Sequence, residues 1–151
     1  MFRRARLTDN ARAVIKGCTQ QGQTANVGTA LVFILSFKSG SIHKYLRHRQ
    51  SIDLGPICNA IVDIQEGEAI TREELIAESS KYSRNAGEKY TGTHHIFSIL
   101  VERANNNLKD FLKEHDIDID TLNKSIRNEF TFRKTGIFKF LAGARHRSTP
   151  G

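Results

Sequence analysis

Apolar residues recur at helical spacing through most of the chain, and the breaks between runs carry cap and turn residues. Ala11, Val14, Ile15 and Cys18 fall on one face of a first helix. Thr8 stands ahead of it as an N-cap, and Asp9 suits the positive end of the helix dipole. Gly17 and Gly22 weaken the run, so the helix is predicted to stop near Gln20 or Gln21. A second helix, starting after Thr29, is apolar nearly all round from Leu31 to Phe37, the mark of a buried central element. A third, about Ile42 to Arg49, buries Ile42, Tyr45 and Leu46. Gly55-Pro56 opens a fourth, with Pro at the first helical position and Ile57, Ile61 and Ile64 as its stripe.

A second series of helices follows the link Glu66-Gly67-Glu68. Thr71-Arg72-Glu73-Glu74 reads as a capping box, with Ile70 placed to staple onto Leu75. The helix it opens turns Leu75, Ile76, Ser79, Tyr82, Ser83 and Ala86 inward, and Gly87 ends it. Another begins at Thr93 and runs to about Arg103, before Asn105-Asn106-Asn107 breaks the pattern. Leu108, Phe111 and Leu112 face inward from the next, and Leu122, Ile126 and Phe130 from the last.

One phrase occurs in both series. Asn26-Val27-Gly28-Thr29-Ala30-Leu31 and Tyr90-Thr91-Gly92-Thr93-His94-His95-Ile96 each pass from Gly-Thr straight into apolar residues. The Gly is free to turn and the Thr is suited to cap a helix. Downstream, Ile42-His43-Lys44-Tyr45-Leu46 and Ile52-Asp53-Leu54 match Leu108-Lys109-Asp110-Phe111-Leu112 and Ile117-Asp118-Ile119 within a residue or two. An internal repeat of this kind means that neither unit buries its apolar face alone.

The repeated pattern resembles the Clp repeat, two copies of which make the amino-terminal domain of Clp-family AAA+ unfoldases. The resemblance covers about Leu7 to Phe130 and is strongest in Tyr90–Ile96, where the family reads Gly-Thr-Glu-His before aliphatics. It implies an all-α domain of two pseudo-symmetric four-helix repeats, over about 7–65 and 70–130, within a domain spanning 1–130. It also implies a non-enzymatic protein-binding module of a Clp-type quality-control system, receiving substrates or adaptors, either as the front end of a longer ATPase or as a stand-alone relative that partners a Clp ATPase. In the family each Gly-Thr-Glu contributes to a small pocket that suits phosphorylated arginine. Thr29 and Thr93 match that pattern, whereas Ala30 and His94 stand where the carboxylates would be. The guanidinium partner is therefore lost, while a plain anion at the helix start remains compatible. Simple capping by the two threonines is the other reading of the same residues. With the carboxylates gone, a groove shared by the repeats is expected to favour acidic or neutral polar peptides over arginine-rich ones.

Composition narrows the function further. The chain of 151 residues is 38% hydrophobic and 26% charged with 2 prolines, which suits a helix-rich fold. No apolar run approaches the roughly 18 residues of a membrane span. The basic start, Met1-Phe2-Arg3-Arg4-Ala5-Arg6, lacks the apolar segment of a secretory signal. The 2 cysteines have no metal-ligand spacing and read as free thiols in a reducing cytoplasm. The net charge of +7 is uneven. Residues 1–65 and 131–151 are strongly basic, and 66–130 carries more acids than bases. That pattern lacks a continuous nucleic-acid track, yet it leaves a rival function, nucleic-acid binding through Arg3, Arg4, Arg6, Arg47, Arg49 and the tail. The tail, 131–151, alternates Phe132, Ile137, Phe138, Phe140 and Leu141 with basic residues. It reads as a linker docking on the domain or as a basic-aromatic arm.

Catalytic chemistry finds no footing. No Gly-x4-Gly-Lys-Ser/Thr phosphate loop is present, so the chain carries no ATPase of its own. His94 and His95 are adjacent and should diverge by about 100° on a helix. Glu88 or Glu102 beside His94 is the only zinc combination on offer, and no spacing supports it. No catalytic residue, metal or cofactor is expected.

Overall fold

The computed structural model describes residues 6–19, 23–49, 52–64, 68–124 and 126. It is mostly helical with two very small sheets. The first half runs β1 (Arg6–Leu7), α1 (Asp9–Cys18), β2 (Thr24–Asn26), α2 (Val27–Ser36), α3 (Ser41–Lys44) and α4 (Leu54–Ile64). Between α3 and α4 the helix continues in wider π turns over Tyr45–Arg49. The second half runs β3 (Ala69–Thr71), α5 (Arg72–Asn85), β4 (Tyr90–Thr91), α6 (Thr93–Glu102) and α7 (Asn106–Glu114). A last helix, α8, covers 119–124.

Local cap chemistry explains most of these boundaries. Thr8 Oγ1 accepts the Ala11 N–H at 3.0 Å. Thr71 Oγ1 accepts from Glu74 N–H at 3.1 Å while Glu74 Oε1 accepts from Thr71 N–H at 3.0 Å, closing the expected box. Ile70 and Leu75, the expected staple, are both in the core. The turn after α5 is made by Gly87 at φ +77°, a left-handed conformation that favours glycine. Asn105, expected only as a breaker, caps α7 by accepting the Leu108 N–H at 2.8 Å.

Three expectations need correction. Helix two begins at Val27, two residues before Thr29, because Asn26 takes the cap position and accepts the Thr29 N–H at 3.1 Å. Helix four begins at Leu54, with Asp53 Oδ1 accepting from Gly55 N–H at 3.2 Å. Pro56 is thus its third residue, still inside the turn whose N–H groups have no helical partner. The short strands were not foreseen. β1 pairs in parallel with β4, Leu7 opposite Thr91, and β2 pairs antiparallel with β3, Ala25 opposite Ile70. Each ladder therefore joins one half of the chain to the other.

One core unites the halves, running from Ala11 and Val14 through Leu31, Ile34 and Leu35 to Phe97, Leu100, Leu108 and Leu122. α2 lies at its centre, packed against α1, α3, α4 and α6. Gly17 proves to be a packing requirement, since a Cβ there would stand 2.3 Å from the Phe33 ring. Phe130 and the tail lie outside the described residues.

Candidate functional site

The two Gly-Thr phrases end in different places. In α2, Thr29 is the third residue of the first turn and is exposed, and Ala30 is 1% exposed. Thr29 thus meets solvent and Ala30 the core. In α6, Gly92 is the cap position and Thr93 is the first helical residue, 3% exposed, its Oγ1 lying 3.1 Å from Ser41 Oγ at the start of α3. Thr93 therefore ties two helix starts together across the halves and does not face a ligand.

His94 and His95 lead into a cluster that spacing did not predict. His95, third in the helix, accepts the Gly92 N–H on Nδ1 at 2.9 Å. This is the reciprocal half of a capping box, with imidazole in the place of Glu or Gln. A neutral imidazole accepting on Nδ1 carries its proton on Nε2. That Nε2–H donates to Glu88 Oε2 at 3.0 Å, and His94 Nε2 lies 3.5 Å from the other carboxylate oxygen. The two rings do not diverge as expected, because their centroids are 3.9 Å apart. Tyr82 of α5 meets His95 edge-on at 5.8 Å. A Cβ at position 92 would come 3.1 Å from the His94 ring, so the glycine leaves that ring its place.

Burial raises the Glu88 pKa, but the hydrogen bonds and charge of His94 and His95 outweigh it and hold the carboxyl well below its usual range. The carboxylate in turn offsets the positive helix end that would otherwise oppose charge on His94. The candidate ligand atoms of Glu88, His94 and His95 lie within 4.8 Å of one another, close enough to test against a metal. The donor chemistry fails that test. A ligating imidazole donates its second N–H to an acceptor, whereas His95 Nδ1 faces a donor, the Gly92 N–H. Coordination through Nε2 would set two protons against each other.

Of the four expected site residues, Thr93 and His94 adjoin this cluster, and Thr29 and Ala30 lie on α2. Glu88 and His95 complete it, and only the three-residue step from Gly92 to His95, a cap spacing, was a signal for either. Among the rival's basic residues, Arg6 and Arg47 are exposed, while Arg3, Arg4, the Arg49 side chain and the tail lie outside the described residues. A separate groove of about 400 Å³ opens between α5, α6 and α7. Val101, Leu112 and Ile117 form its apolar floor, and its charged residues are Lys109 and Lys113 against Glu102, Asp118 and Asp120. Compared with protein families, curated proteins and solved structures, the chain finds no match.

Proposed function

We propose that the chain is a non-enzymatic protein-binding module of a Clp-type unfoldase system, built from two pseudo-symmetric four-helix repeats and receiving substrates or adaptors in the cytoplasm. The observation that carries this reading is the matching order of the halves. Each runs strand, helix, strand and three helices, and each gives its strands to ladders with the other. That order coincides with the sequence repeat that resembles the Clp family.

Among the described residues, a surface suited to a protein partner is the groove between α5, α6 and α7. Its apolar floor accepts side chains of an extended segment, and lysines and acids at its edge hold polar flanks. The helix starts serve a different purpose, since Ala30 and Thr93 are buried. Among the described residues no helix is long and apolar enough to cross a membrane.

Fluorescence anisotropy tests the reading with labelled acidic and arginine-phosphate peptides beside single-stranded and duplex DNA. Peptide binding that persists near physiological salt supports it. Absence of peptide binding, together with DNA affinity that collapses between low and moderate salt, would favour the nucleic-acid reading instead.

A further inference from the structure

We propose that Glu88, His94 and His95 form a proton-operated latch that closes the junction of β1, β4 and α6. The inference goes beyond peptide binding and rests on the hydrogen-bond order of the cluster. Gly92 N–H donates to His95 Nδ1, and His95 Nε2–H donates to Glu88 Oε2. Every polar atom of the His95 ring is therefore committed, and the residue is 2% exposed.

A proton arriving at the cluster has two destinations with different consequences. His94 is the more exposed ring, and its Nε2 faces Glu88 Oε1. An imidazolium there is neutralised by one carboxylate, and no bond of the helix start is disturbed. His95 is different, because a proton on Nδ1 displaces the Gly92 N–H. It would also place a second positive charge beside one carboxylate, next to the free N–H groups of a helix start. The titratable groups against His95 are Glu88 from the loop before β4, His94 from α6 itself and Tyr82 from α5. From α3 the neighbour is Ser41, reached through Thr93, and it does not titrate.

Releasing Gly92 loosens the residues on both sides of it. Thr91 accepts the Thr8 N–H on its carbonyl at 3.0 Å and meets Ser83 Oγ at 2.9 Å. Thr93 holds Ser41. The first strand, the start of α1 and the start of α3 are thus all tied to the segment the latch secures. The first proton leaves it closed, and the second opens it.

Histidine-ring and amide NMR over pH 7.5 to 4.5 tests the proposal. At neutral pH the His95 ring is expected in the Nε2–H tautomer. Protonation of the His94 ring should leave protection of the Gly92 amide unchanged. Opening of that amide, corrected for its intrinsic exchange rate, should then rise about tenfold per pH unit as the second proton binds. His95→Gln supplies an acceptor that caps without titrating. It should keep the neutral-pH protection and abolish the acid rise. Should that variant fail to fold, Glu88→Gln decides, because losing the neutralising carboxylate should leave the cap closed at neutral pH and change the pH at which it opens. An Nδ1–H tautomer at neutral pH would overturn the latch. So would a pH-independent Gly92 amide, an acid rise that survives His95→Gln, an opening pH unmoved by Glu88→Gln, or stoichiometric zinc binding that perturbs both rings.

Discussion

Thr71→Ala isolates the contribution of one cap to the second half of the fold. The substitution deletes the Oγ1 that accepts the Glu74 N–H at 3.1 Å. It leaves Thr71 N–H donating to Glu74 Oε1, and it leaves the β2–β3 ladder, whose bonds are made by the backbone. The backbone side of the box is therefore kept, while the Oγ1–H donated to Glu74 Oε1 at 3.2 Å is lost with the acceptor. Thr71 is exposed, so water can reach the orphaned N–H and no buried-donor penalty is added. The expected cost is about 1 kcal/mol, the usual value for losing a hydroxyl cap. In a domain of this size that corresponds to a fall in Tm of about 3 °C. Thermal unfolding followed by circular dichroism at 222 nm measures it, with Thr71→Ser as the control that keeps the acceptor. An unchanged Tm in the alanine variant, or an equal fall in the serine variant, would refute the assignment of the cap.

Ala30→Glu should abolish cooperative unfolding, because it buries a carboxylate at a core position, and urea titration would show it. A well-folded variant would mean that the helix start of α2 is open after all. Glu88 has a folded-state pKa held below its unfolded value, so its own protonation costs no stability above about pH 4.3 and removes stability as pH falls below that. Melting curves of the wild type and Glu88→Gln should therefore converge between about pH 5 and 2. Parallel curves would contradict the ion contacts. Burial pushes the Cys18 thiol up to about 12 and raises Cys58 less, with Ser36 partly countering it. Iodoacetamide at neutral pH should modify Cys58 before Cys18, as read by mass spectrometry of peptides, and the reverse order would be inconsistent with the packing around α1.

Features set by a few neighbouring residues were legible in the sequence. Thr8 and the Thr71–Glu74 box are local hydrogen bonds, and the apolar stripes of α1, α2 and α7 are periodic. Asn26 was missed for a reason of competition. It lies at the end of a three-residue strand with no alternating pattern to announce it, so the next good capping residue, Thr29, was taken instead. β1 and β4 are too short for any period, and they exist because distant segments meet. Gly17 was read as a weakness of α1, and only the Phe33 ring from α2 explains it. The cluster at the candidate site divides in the same way. The cap from His95 to Gly92 is local, but Glu88 reaches both rings by folding back across β4, which no helical spacing describes.

The proposed function requires that a protein segment occupy the groove between α5, α6 and α7. Titrating a short peptide of apolar residues with flanks of both charges into the 15N-labelled chain, and following backbone amides by NMR, gives the decisive test. The expected result is a saturable set of shifts at Ser98, Val101, Lys109, Lys113 and Asp118, with the amides of α1 unmoved. Shifts absent from those residues, or confined to the exposed basic positions Arg6 and Arg47, would contradict it.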